Sequence, residues 1–169
     1  MKALLLMCGV VDRLNITLGK MMGWLILVAT LVSALNAVLR KAADLSSNSL
    51  LEIQWYLFGA VFLLGAAYTL QQNAHVRIDI LSSRFSERTR AWIDIAGHVF
   101  FTLPLIGFVV LASWDFAYDS FLIAEYSPDA GGLIRWPAKA LIPLGFLLLG
   151  LQVICEIIRK IAFLRGQNP

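Results

Sequence analysis

The sequence predicts an all-α integral membrane protein with four transmembrane helices and both termini in the cytoplasm. Three observations carry this. Of the 169 residues, 59% are hydrophobic and only 15% charged, against about 25% charged in an ordinary soluble domain. The charges are clustered, leaving uncharged runs at 21–39, 53–74, 95–114 and 140–155, with His98 the one histidine inside them. The basic residues are also shared unequally between the connections that separate those runs.

Residues 1–20 open with "MKALLLMCGVV", which has the look of a short signal peptide. The continuation "DRLNITLGK" is charged and has no small-x-small cleavage pattern. The segment is therefore read as a retained, partly amphipathic lead-in at the membrane surface. A four-helix membrane domain is expected over 21–155. A helix rises about 1.5 Å per residue and the hydrocarbon core is about 30 Å thick, so about 20 residues cross it. The first three runs meet this length. The fourth is shorter, and Lys139 and Glu156 extend it by reaching toward the headgroups. Continuous apolar runs favour helices, because a lone helix satisfies its own backbone in lipid.

Four spans place both termini on one side. That side carries Lys2, Arg13, Lys20, Arg77, Arg84, Arg88, Arg90, Arg159, Lys160 and Arg165, ten basic residues against the four at Arg40, Lys41, Arg135 and Lys139. The positive-inside rule makes the richer side cytoplasmic. The tail 156–169 then lies along the inner leaflet, where its cations meet anionic lipid. Aromatic residues fall at the span ends, as interfacial rings do: Trp55, Tyr56, Trp114, Tyr118, Tyr126 and Trp136 outside, Trp24 and Trp92 inside. The longest outer connection, 115–139, is acidic in its first half, turns at "SPDAGG" and leads into the last helix through "RWPAK". Pro104 and Pro143 lie within spans three and four, either as kinks or, for Pro143, in a first turn.

Charge inside hydrocarbon costs about 2.5–3.5 kcal/mol and usually marks function. No Asp, Glu, Lys or Arg occupies the middle of a span. Glu52 opens span two, where a carboxylate suits a helix N-terminus, and Asp94 sits similarly at span three. The stretch "NAHVRIDIL" places His75 and Asp79 one helical turn apart with Arg77 between them. It reads as the cytoplasmic exit of span two, with Arg77 a topology anchor. His75 and His98 on neighbouring helices offer one enzymatic alternative, a membrane haem-binding redox subunit. Cys8 and Cys155 have no metal-ligand spacing and read as small hydrophobes. No Ser-His-Asp set or phosphate loop is visible, so no catalytic residue, cofactor or metal is expected. The basic residues flank spans, which excludes a nucleic-acid partner. Pattern alone thus points to an accessory membrane subunit.

Three stretches say more: "LLEIQWYLFGAVFLLGAAYTLQQNAHVRIDIL" (50–81), "SERTRAWIDIAGHVFFTLPL" (86–105) and "SPDAGGLIRWPAKALIPLGFLLLGLQ" (127–152). Together they resemble the DctQ-type small membrane subunit of tripartite ATP-independent periplasmic (TRAP) transporters. The ordered set carries the resemblance: Glu52 with Trp55 opening span two, a Gly-Ala centre, the His75-Arg77-Asp79 exit, and Gly-Gly-Leu before Trp136-Pro-x-Lys. The resemblance implies a multi-pass subunit of the bacterial inner membrane in a permanent heterodimer with a large membrane subunit. That large subunit moves substrate and sodium by an elevator motion, and a periplasmic binding protein transiently delivers an organic acid. The small subunit is then a scaffold. Glu52, Trp55, His75, Arg77, Asp79, Trp92 and Trp136 become candidates for partner contact or topology. Gly59, Gly65, Ala66, Ala67, Gly145 and Gly150 permit close helix approach, within the chain or onto the partner.

Overall fold

The computed structural model describes residues 2–43, 47–72 and 85–166. They form four long helices: α1 (Lys2–Ala43), α2 (Asn48–Gln71), α3 (Glu87–Leu122) and α4 (Trp136–Leu164). Each is long and apolar enough to cross a membrane. No strand occurs among the described residues beyond an isolated bridge between Tyr126 and Ile134. The chain is thus an all-helical, multi-pass membrane protein. His75, Arg77 and Asp79 lie outside the described residues.

The lead-in and the first span are one helix. α1 has 42 residues, about 63 Å at 1.5 Å per residue, with no break near Lys20. The cause is a stripe that repeats every seven residues: Cys8, Asn15, Met22, Ala29 and Asn36 are the buried positions of the helix. A strict seven-residue period keeps one face turned to its neighbours along the whole length. Gly19 and Gly23 do not interrupt it. A Cβ at Gly19 would collide with the Tyr68 ring, so the missing side chain makes room for that ring between α1 and α2. The other face of α1 is exposed: Arg13, Thr17 and Lys20 lie on it in the first half, and between Lys20 and Arg40 it is mainly apolar, with Trp24, Leu31 and Val38 outermost.

α4 is the centre of the bundle and touches all three other helices, while α3 packs chiefly on α4. Leu70, Ile106 and Val153 form the core where α2, α3 and α4 meet, with Leu103, Phe146 and Leu149 around them. Three of the small residues singled out in the sequence sit at contacts: Ala67 is fully buried, Gly145 meets the Leu63 backbone, and Gly150 faces Ile106. Gly59 faces open space.

Both in-span prolines sit inside helices. α3 widens into one π-helical turn over His98–Thr102, and the Leu103 N–H bonds back five residues to the His98 carbonyl. Pro104 has no N–H, and its ring would crowd the carbonyl four residues earlier. The π turn immediately before it absorbs that conflict without ending the helix. Pro143 lies in the second turn of α4 and is buried. Its missing N–H leaves the Lys139 carbonyl without the usual helical partner.

Candidate functional site

The ion pairs of the described residues, and their side-chain hydrogen bonds between elements, lie at the two ends of the bundle. One end carries the 123–135 loop. The other carries the start of α1, the end of α2, the start of α3 and the end of α4.

At the loop end, Glu52 is buried although it lies in the second turn of α2. Its carboxylate accepts hydrogen bonds from the Ser127 hydroxyl and, at 2.6 Å, from the Leu133 N–H. Two further bonds from α2 hold the loop: Asn48 Nδ2 donates to the Ala130 carbonyl (3.0 Å) and Ser49 Oγ to the Gly131 carbonyl (2.7 Å). The Tyr56 hydroxyl donates to the Ile134 carbonyl at 3.0 Å. The loop folds on itself through Ser127 N–H to Leu133 O (2.9 Å) and Arg135 N–H to Glu125 O (2.8 Å). Gly131 has φ +73°, a left-handed conformation that glycine adopts without strain. Glu52 is therefore a tie between α2 and the loop rather than a cap of its own helix. Replacing it with Ala is expected to speed amide exchange at Leu133 and Ser127 by about tenfold or more, read by mass-resolved hydrogen exchange in detergent. Unchanged exchange across 125–135 would show the tie to be dispensable.

Glu125 makes a second tie at this end. It pairs with Lys139, whose Nζ also sits 4.0 Å from the centre of the Phe116 ring. The Lys139 ammonium holds the Glu125 carboxyl below its ordinary value of 4.5. A carboxylate whose folded pKa is depressed stabilises fully above its unfolded value and loses that contribution as pH falls through the folded one. The loop is expected to stay closed down to about pH 4.5 and to loosen below it. Tyr126 and Trp136 fluorescence on acid titration, absent in Glu125→Gln, checks this.

At the opposite end, the Asp12 carboxylate ties α1 to α4. One oxygen pairs with the Arg159 guanidinium and the other accepts from Gln152 Nε2 at 3.4 Å. Arg159 also bonds Glu156 at 3.2 Å. One turn further along α1, Asn15 Nδ2 donates to Gln152 Oε1 at 2.8 Å, and both side chains are fully buried. Gln71, at the end of α2, donates to the Asp12 carbonyl at 3.4 Å, so three helices meet here. Cys8 and Cys155 are buried, with a side-chain contact between them. Lys160 pairs with Asp94 at 2.5 Å and joins α4 to α3.

Trp55 packs edge-on against Tyr56, with ring centres 4.4 Å apart. Trp136 packs edge-on against Phe121 at 5.3 Å. Trp55 and Trp92 are exposed. His98 lies within 3.4 Å of the Thr102 hydroxyl in its own helix. Asp94 does more than favour a helix start, since it binds Lys160. The residues missed in the sequence are Asp12, Asn15, Gln152 and Arg159. The available signal was the seven-residue spacing that puts Asn15 in line with Cys8, Met22 and Ala29.

Among known families, the model for the DctQ component of tripartite ATP-independent periplasmic transporters matches residues 29–163. No curated protein matches the chain. The matched segment contains Glu52 with its loop, Gln152 and Arg159, but begins after Asp12 and Asn15.

Proposed function

The chain belongs to the DctQ family of TRAP-transporter components, and from that premise we propose that it is the scaffold subunit of a sodium-driven organic-acid importer. In this reading it sits in the bacterial inner membrane with both termini in the cytoplasm. It holds a large membrane subunit permanently and meets a periplasmic binding protein transiently. The large subunit moves the substrate and the ions, and this chain performs no chemistry of its own.

One observation supports the reading most. The acidic side chains Glu52, Glu125, Asp12 and Asp94 all tie one part of the chain to another, at the ends of the bundle. Such ties stiffen a static element. Meanwhile the outward faces of α1 and α3 remain apolar and exposed, with Phe100, Phe101, Phe108 and Leu111 prominent on α3. These faces suit lipid and a helical partner alike. Asp115, Asp119 and Asp129 are exposed on the loop side, which suits the transient encounter with the binding protein. Glu125 is engaged with Lys139 and is not counted among them.

The test is co-expression with a large many-span partner and a binding protein. The chain is expected to co-purify with the large subunit, and proteoliposomes are expected to take up substrate only when both are present. Sodium-driven uptake by this chain alone would overturn the scaffold reading. Reversal of charge at Asp115, Asp119 and Asp129 is expected to slow uptake at low binding-protein concentration. Unchanged docking would remove the loop from that role.

A further inference from the structure

We infer that the cleft between the first turns of α3 and the last turns of α4 binds the phosphoethanolamine headgroup of a membrane phospholipid. The cleft has a volume of about 340 Å³ and is lined by Arg90, Arg159, Lys160, Glu87, Asp94 and Phe163, among others. Its depth along the bundle fits a headgroup. The uncharged run of α4 ends at Cys155, and Arg159 and Lys160 follow four and five residues later. Because that run is shorter than the hydrocarbon core, this places them at the hydrocarbon boundary, where the headgroup layer begins. Toward the bilayer centre both helices become apolar, with Phe100, Phe101 and Ile154 exposed for acyl chains to cover.

The chemistry of the lining selects the headgroup. Three cations face two carboxylates, and all three are engaged: Lys160 pairs with Asp94, Arg159 with Asp12 and Glu156, and Arg90 Nε donates to the Phe85 carbonyl at 3.1 Å. The cleft is therefore close to neutral and would gain little from a purely anionic lipid. It does present both signs within one small space. Guanidinium and ammonium groups carry several donors each, so engaged cations retain N–H bonds for a phosphate. Glu87, exposed at the start of α3, supplies an acceptor for a primary ammonium. A phosphodiester followed two carbons later by an ammonium matches that pairing. Arg88 bonds the Leu164 carbonyl at 3.3 Å and braces the two helices beside the cleft.

This inference is independent of the transport reading, because it concerns the chain and its lipid alone. The full-length protein is placed in nanodiscs of phosphatidylcholine, and phosphatidylethanolamine or phosphatidylglycerol is titrated in. Bound lipid is counted by native mass spectrometry. Saturable binding of phosphatidylethanolamine, about fivefold tighter than that of either other lipid, is expected. Glu87→Gln is expected to abolish the preference over phosphatidylcholine. Arg90→Gln is expected to weaken binding of all three lipids, with Arg90→Lys restoring it. Arg13→Gln, exposed on α1, is the control and should change nothing. Tighter binding of phosphatidylglycerol than of phosphatidylethanolamine overturns the headgroup assignment. Equal binding of all three lipids, or equal loss in Arg13→Gln and Arg90→Gln, overturns the site. Soluble phosphoethanolamine binding as tightly as the lipid overturns the assignment to a membrane ligand.

Discussion

Arg159→Gln is expected to destabilise the bundle by about 2–3 kcal/mol, the largest effect of any single polar substitution. The substitution removes the guanidinium from Asp12 and leaves a carboxylate among Gln152, Glu156 and the packed ends of α1, α2 and α4. Breaking a fully buried pair costs about 3–5 kcal/mol, because the surviving charge stays desolvated. Here Arg159 and Asp12 retain 25% and 23% exposure, so water screens part of that cost. Asp12→Asn in the same background is expected to recover more than half of the loss, since the isosteric amide carries no charge to strand. Thermal unfolding in detergent, followed by the solubility of the heated sample, reads the series. Coincident melting of Arg159→Gln and the parent would show that the pair sets no stability. Additive losses in the double variant would show that the two residues do not depend on each other.

That pair also shows what a sequence can and cannot disclose in a membrane protein. The four helices were legible because hydropathy and charge clustering are one-dimensional signals. The uncharged runs nevertheless define less than the helices: span three was expected at 95–114, while α3 covers Glu87–Leu122. A helix continues as long as its backbone is satisfied, and charged residues in headgroups or water do not stop it. The second run was expected at 53–74; α2 covers Asn48–Gln71, and residues 73–74 lie outside the described residues. The largest difference is in α1. A charged segment after a short apolar stretch resembles a surface lead-in, yet Asp12 and Asn15 are turned inward to partners some 140 residues away in sequence. Nothing local records that such partners exist. Only the seven-residue recurrence of buried positions hints at it, and a recurrence of Cys, Asn, Met, Ala and Asn does not resemble an ordinary hydrophobic seam.

The loop end was half legible. Glu52 stood out as an acid at the opening of an apolar run, and "SPDAGG" was a turn by composition. Their union was not readable, because Ser127 and Leu133 are about 80 positions away and the bonds depend on how the loop folds back. Both ends of the bundle follow one rule. Polar groups that pattern alone assigns to water or to helix dipoles are used to fix helix against helix at one end and loop against helix at the other. In lipid, where apolar faces gain little by choosing one another over acyl chains, such bonds and close steric fits decide the arrangement.

Steric fit makes the second large prediction, at Gly145. A Cβ built there lies 2.7 Å from the Leu63 carbonyl oxygen and 2.9 Å from its carbon. The obstacle is backbone, so no rotamer change relieves it, and α4 must move off α2. Gly145→Ala is expected to cost about 1–3 kcal/mol, the range for overpacking a well-filled contact, and Gly145→Leu to prevent normal packing of α4. Two neighbours calibrate the result. At Gly150 the nearest obstacle is the Ile106 Cγ2 methyl at 3.3 Å, which can shift, so Gly150→Ala is expected to cost well under half as much. At Gly59 nothing lies within 4 Å, and Ala there is expected to be neutral or to add up to about 1 kcal/mol through helix propensity. The three alanine variants, melted side by side in one detergent, must therefore rank Gly59, Gly150, Gly145 from most to least stable. A Gly145→Ala variant as stable as Gly59→Ala would mean that α4 is not held against α2 through the Gly145–Leu63 contact.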